Sequence, residues 1–196
     1  IFDAGTFVSN DDIYYFFKDD KYWSKDEGSD YVLNSRGIFS DTWGGLTETG
    51  IDAMVYNKDV DPEMYYFFKG DQYWSKERGS DARVSEPKPL SEFGSGDPLP
   101  ADLDAAVYNS NDDIYYFFKD GKYWSKEYGE DIISGGSVAD GWNNGITLPT
   151  VLDAVVFNNS SDEQTYYFFK DDKYWIKERS EAITGPRLIS ANWGEV

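Results

Sequence analysis

The sequence predicts an all-β fold in which four repeated sheets close into a ring, a four-bladed β-propeller. Three observations carry this expectation. The string Ile13-Tyr14-Tyr15-Phe16-Phe17-Lys18-Asp19-Asp20-Lys21-Tyr22-Trp23-Ser24-Lys25 returns almost unchanged at residues 64–76, 114–126 and 165–177. An Asp-Ala pair opens each copy, at Asp3, Asp52, Asp104 and Asp153, and a spacing of roughly 50 residues suits a propeller blade or a long solenoid repeat. Each aromatic run sets large rings at consecutive positions, so both faces of an extended strand are apolar.

The elements of one unit follow in order. Each unit opens with a strand-like run, "FDAGTFV", "IDAMVYN", "LDAAVYN" or "LDAVVFN", with small side chains first and larger ones later. An acidic turn rich in Asn and Asp comes next, a hairpin connection by composition. The aromatic strand at residues 14–17, 65–68, 115–118 and 166–169 is sticky on both sides, as a sheet sandwiched between neighbours must be. The turns Lys18-Asp19-Asp20-Lys21, Lys69-Gly70-Asp71-Gln72, Lys119-Asp120-Gly121-Lys122 and Lys170-Asp171-Asp172-Lys173 then lead into a third strand carrying Tyr-Trp. Gly70 and Gly121 supply residues that tolerate positive φ.

The tails are more variable. They read as a weak outer strand and a short helix, with Ser40, Ser91 and Ser190 as expected caps. Pro87, Pro89, Pro98 and Pro100 make the second tail irregular. An aromatic recurs near each tail's end, at Trp43, Phe93, Trp142 and Trp193, and the three tryptophans are the rings most expected at the surface, the alternative being that they only pack a rim helix. The whole chain, 1–196, reads as a single domain with blades at 1–49, 50–101, 102–150 and 151–196. Four sandwiched sheets in a row would leave two aromatic faces exposed, whereas a ring leaves none; a capped solenoid is the rival arrangement.

Composition excludes several classes of function. Aromatics make up 18% of the chain and hydrophobic residues 40%, too apolar for a disordered acidic tail. With 37 Asp and Glu against 18 Lys and Arg, the net charge of −19 repels nucleic-acid phosphate and draws cations. There is no Cys to staple the fold and no His, so a metal would need oxygen ligands, which favours Ca²⁺, Na⁺ or Mg²⁺ over Zn²⁺. The same two absences remove the usual catalytic triads and dyads, and fourfold repetition suits a binding scaffold, so no enzyme is expected. No apolar run approaches the roughly 20 residues of a membrane helix, so a soluble protein is expected, cytosolic, seed-stored or secreted. Asn158 and Asn159 sit in Asn-x-Ser triplets that could accept glycan.

The Asp-Ala opening, the "YYFFKD" strand, the "KYW" strand and the terminal aromatic together resemble the hemopexin-like repeat, over all four units. The resemblance implies a four-bladed propeller with four antiparallel strands per blade and a short rim helix. Two departures stand out. Many members close the ring with a disulfide, which this chain cannot form, and the Trp-Pro that often ends a unit is here Trp43-Gly44, Phe93-Gly94, Trp142-Asn143 and Trp193-Gly194. Copies this alike, without a disulfide, are similar to the hemopexin-fold seed albumins of legumes, which also makes a plant protein the expectation.

Three site expectations follow. Four copies of one strand set equivalent backbone carbonyls around a narrow axis, an oxygen cage for a hard cation. The resemblance implies that these are the carbonyls of Asp3, Asp52, Asp104 and Asp153, holding Ca²⁺ or Na⁺, with chloride as a companion. The competing reading has each Asp side chain bonding the neighbouring blade's backbone. The acidic turns at Asn10-Asp11-Asp12, 59–63, Asn111-Asp112-Asp113 and Asp162-Glu163 could draw a polyamine, as the resemblance to seed albumins suggests, or could simply be solvated charge. Exposed rings could stack on glycans, giving a lectin with a defence role as the alternative function. Heme would lack its usual His ligand. The expected protein is thus a non-enzymatic binding or storage protein, monomer or homodimer.

Overall fold

The computed structural model describes residues 2–29, 35–46, 50–142, 146–160, 164–179 and 181–193. Blade one holds β1 (Ala4–Val8), β2 (Ile13–Lys18), β3 (Lys21–Asp26) and β4 (Ser35–Ile38), then helix α1 (Phe39–Thr42). Blade two holds β5 (Ala53–Asn57), β6 (Met64–Lys69), β7 (Gln72–Glu77) and β8 (Lys88–Pro89), then a 3-10 turn at Leu90–Glu92. Blade three holds β9 (Ala105–Asn109), β10 (Ile114–Lys119), β11 (Lys122–Glu127) and β12 (Ile133–Ser137), then α2 (Val138–Gly141). Blade four holds β13 (Ala154–Asn158), β14 (Thr165–Lys170), β15 (Lys173–Glu178) and β16 (Thr184–Leu188), then α3 (Ile189–Asn192).

In every blade the strands pair antiparallel in chain order. The register is the same in all four: Ala4 faces Phe17, Ala53 faces Phe68, Ala105 faces Phe118 and Ala154 faces Phe169. The first strands form the inner wall of the ring. β1 touches β5 and β13, and β9 touches the same two, so contact runs round a closed circuit. These inner strands are buried along their whole length. Gly5 makes one of these approaches possible, because a Cβ there would stand 3.1 Å from Val156 of β13 and 3.1 Å from the Phe16 ring.

Both faces of each aromatic strand are covered, as a sandwiched sheet requires. Phe17 packs toward blade two with Trp43, Tyr65 and Phe67, while Tyr14 and Phe16 pack toward blade four with Phe169 and Trp193. The terminal aromatic of each blade is the wedge. Trp43 meets Tyr15, Phe17 and Tyr22 of its own blade edge-to-face, and Tyr65 and Phe67 of the next, with centroids 5.1–5.9 Å apart. Phe93, Trp142 and Trp193 repeat this at the other junctions. Trp193 closes the ring without a disulfide, meeting Tyr14 at 4.9 Å and Phe16 at 5.3 Å.

This corrects the expectation of surface tryptophans. Trp43, Trp142 and Trp193 are only 6%, 7% and 6% exposed, because the space between diverging blades must be filled by rings that the blades' own strands cannot supply. The cap expectation is also corrected. Ser40, Ser91 and Ser190 lie inside α1, the 3-10 turn and α3, and the one serine cap found among the described helices is Ser137, whose Oγ accepts from the Ala139 N–H.

The outer strands β8, β12 and β16 are largely exposed, and the pairing of outer strands is irregular, with register shifts beside Tyr22, Tyr123 and Tyr174. β8 is reduced to two residues, where Pro87 and Pro89 cannot donate to a ladder. The β2–β3 hairpin and its copies turn on left-handed residues, Asp19, Gly70, Asp120 with Gly121, and Asp171. No described helix is long and apolar enough to cross a membrane.

Candidate functional site

Each inner strand runs from its Asp at one face of the ring to its last residue at the other. On the first face the Asp carboxylates stay within their own blades. Asp3, Asp52, Asp104 and Asp153 accept from the backbone N–H of Asp19, Gly70, Asp120 and Asp171 at 2.6–2.7 Å, capping the β2–β3 hairpin and its copies. This corrects the reading in which they bond the neighbouring blade. Lys119 and Lys170 add ion pairs to Asp104 and Asp153 at 2.9 and 2.6 Å, and the carboxylate partners push both ammonium groups above the ordinary lysine value. Lys69 instead donates to the Gly50 carbonyl, and burial raises the Asp52 carboxyl above the usual carboxylate range. Asp3 likewise pairs with Lys18 at 3.4 Å, so three of the four carboxylates have both oxygens engaged and Asp52 has one. Among the described residues no group of three or more Asp or Glu side chains could hold a metal ion.

On the second face the inner strands end in Asn57, Asn109 and Asn158. Each Asn Oδ1 accepts from the backbone two residues on, at 2.7–2.9 Å, which fixes the acidic turn. Each Nδ2 crosses to the next blade, donating to Tyr115, Tyr166 or Tyr14. Burial holds these three phenols far above their ordinary pKa. Blade one has Val8 at this position. There Arg78 makes the crossing, pairing with Asp11 at 2.5 Å and Glu63 at 3.4 Å, while Tyr56 and Asn10 also donate to Glu63. Tyr108 donates to Asp59 and Asp113 at 3.0 and 2.8 Å, so burial and two carboxylates raise its pKa.

The acidic turns are therefore partly stitched into the ring. Asp162 and Glu163 lie outside the described residues. Asn158 is buried and bonded to Tyr14 and Glu27, which leaves no room for glycan on it; the Asn159 triplet ends at Ser161, also outside the described residues.

Sequence reasoning passed over one repeated group, the lysine of the third strand. Lys25, Lys76, Lys126 and Lys177 each donate to main-chain carbonyls of the turn that follows, at Ser29, at Ser80 and Ala82, at Glu130, and at Arg179 and Glu181. Its signal was present as the same Lys in "WSKD", "WSKE" and "WIKE". Between the blades, clefts open over the terminal aromatics, among them one at the junction of blades three and four and one at blades four and one.

Four antiparallel blades closed round buried inner strands define a four-bladed β-propeller. Residues 51–96 match the family model described as Hemopexin. The fold agrees over nearly the whole chain with LS24, a seed albumin from Lathyrus sativus, at TM-score 0.79 and 21% identity, covering 98% of this chain and 94% of that one. It agrees equally with a plant lectin with two metal binding sites from Cicer arietinum, at TM-score 0.78 and 20% identity, covering 98% and 95%. Matrix metalloproteinase-21 of Mus musculus is 32% identical over 108 residues, which is 48% of this chain and 18% of that protein's length. The chain thus has the four-bladed propeller fold of these legume proteins, and its second blade matches the Hemopexin model.

Proposed function

We propose that the chain is a non-enzymatic binding protein of the albumin kind, with a hard cation on the ring axis and small organic cations, such as polyamines, on its acidic face. The observation that carries the reading is the second face. Among the described residues Asp112 and Asp113 there are met by Asn109 and Tyr108, not by a lysine or arginine. Their charge is left to attract a soluble cation. Calorimetry with a linear tetra-amine tests this: saturable heat that weakens as salt rises is expected, and no saturable heat at low or moderate salt would retire it.

The axial cation would be Ca²⁺ or Na⁺, alone or with chloride, held by the carbonyls of Asp3, Asp52, Asp104 and Asp153. Their side chains face the hairpins, which suits a hard ion served by peptide oxygens. Its role would be to hold the inner strands together, and a chelator should then lower the melting temperature reversibly.

A second reading, carbohydrate binding, is favoured by the aromatic-walled clefts between blades and by the likeness to a protein described as a plant lectin. Glycan-array signal that free sugar abolishes would support it. Heme finds less support, since the chain has no His and Asn side chains already engage the phenols of Tyr14, Tyr115 and Tyr166. The proteinase relative lends no catalytic reading, because the chain covers only 18% of it.

A further inference from the structure

The cleft between blades three and four has a volume of about 230 Å³ and is lined by Asp112, Tyr116, Trp142, Gln164, Tyr166 and Arg179, among others. Its chemistry is clearest beside the junction of blades one and two, where the same positions hold Asp11, Glu63 and Arg78. There Arg78 bridges the two carboxylates and the charges are met. Between blades three and four the set is Asp112, Gln164 and Arg179, so an amide stands where the other junction has an acid. Among the described residues neither Gln164 nor Arg179 has a side-chain hydrogen bond or ion pair, and Asp112 accepts only from Asn109, at one oxygen.

Gln164 has a backbone φ of 48°, in the left-handed region. The matching residues Asp12 and Asp113 have φ of 55° and 58°, and a short Asp tolerates that conformation by bonding locally. A glutamine gains no such local help. What it gains is reach into the cleft.

The wall is aromatic. Trp142 stands edge-to-face with Tyr116 at 4.9 Å and Tyr166 at 5.1 Å, and Tyr116 and Tyr123 are half-buried, their remaining surface open to a ligand. A cleft smaller than the roughly 300 Å³ lower bound for drug-sized ligands suits a single small ring. Lys177 and Arg179 on its lining disfavour an organic cation, and Asp112 disfavours an anion. A ligand that offers an apolar face together with hydroxyls that both donate and accept satisfies every group present.

We propose that this cleft is a binding site for one neutral pyranose sugar, its apolar face on the half-buried Tyr116 ring that Trp142 props from behind, and its hydroxyls on Asp112, Gln164 and Arg179. The inference rests on the carbohydrate reading and competes with the polyamine one for Asp112, leaving Asp113 to the acidic face. The test titrates the full chain with glucose, galactose, mannose and N-acetylglucosamine, followed by tryptophan fluorescence and saturation-transfer NMR. Saturable binding of at least one sugar is expected. Gln164→Ala and Asp112→Ala should each weaken it at least tenfold, with melting close to the parent, while Arg83→Ala in the cleft between blades one and two leaves it unchanged. Glycan binding that Gln164→Ala leaves intact would overturn this site but spare the carbohydrate reading. No glycan binding at all would remove both, and binding of glucuronate without any neutral sugar would overturn the proposed chemistry.

Discussion

Asp104 and Asp52 occupy the same place in their blades, yet only Asp104 has a lysine on it. The Asp104 side chain is 6% exposed and pairs with Lys119 at 2.9 Å, whereas Asp52 keeps only the Gly70 N–H among the partners described above. Asp104→Asn should therefore cost about 1–3 kcal/mol in urea unfolding, and Asp52→Asn clearly less. An equal or larger loss at Asp52 would refute the ranking. The third-strand lysines make a parallel case. Lys76 serves the carbonyls of Ser80 and Ala82, so Lys76→Met, which keeps the stem and drops the donor, should cost about 1–3 kcal/mol by the same measurement. A neutral result would reduce these lysines to solvated charge.

At the scale of the element, the strands were legible in the sequence because successive rings such as Tyr14, Tyr15, Phe16 and Phe17 demand burial on both faces of an extended chain. The tails were not. Each rim helix is a single turn at most four residues long, and its cap is set by where the outer strand ends. Pro89 and Leu188 stand at cap positions with no capping side chain, so no serine pattern existed to be read across the copies. Ser137 is the exception, and Ser137→Ala should cost about 0.5–2 kcal/mol, seen as a lower midpoint in urea with an unchanged slope. A midpoint equal to the parent's would show that α2 is held by packing alone. The burial of Trp43, Trp142 and Trp193 was hidden for a related reason: spacing along the chain does not say that a tail folds back between two sheets. The cleft residues Asp112, Gln164 and Arg179 come from two blades, and only the ring brings them together.

At the scale of the whole molecule, the cross-blade tyrosines tie stability to pH. Burial raises the phenols of Tyr14, Tyr115 and Tyr166 well above the ordinary 10.0, so they stay protonated in the fold while the unfolded chain ionises from about that value. More protons are then bound by the folded state, and stability falls as pH rises. The contribution is complete below pH 10 and is lost above it; Lys119 and Lys170, raised from 10.5, act in the same direction. The share of phenolate absorbance that belongs to these buried rings should appear only together with unfolding, above pH 10. Complete ionisation of all 16 tyrosines in a chain that keeps its fold would contradict the burial of these groups.

The central claim is that blade four closes on blade one through Trp193, with no covalent link. The most direct measurement compares Trp193→Ala with Trp142→Ala in urea unfolding. In a closed ring both remove a wedge between two blades, and each should cost about 3–5 kcal/mol. A large loss for Trp142→Ala beside a negligible one for Trp193→Ala would mean an open row of blades, and would contradict the ring.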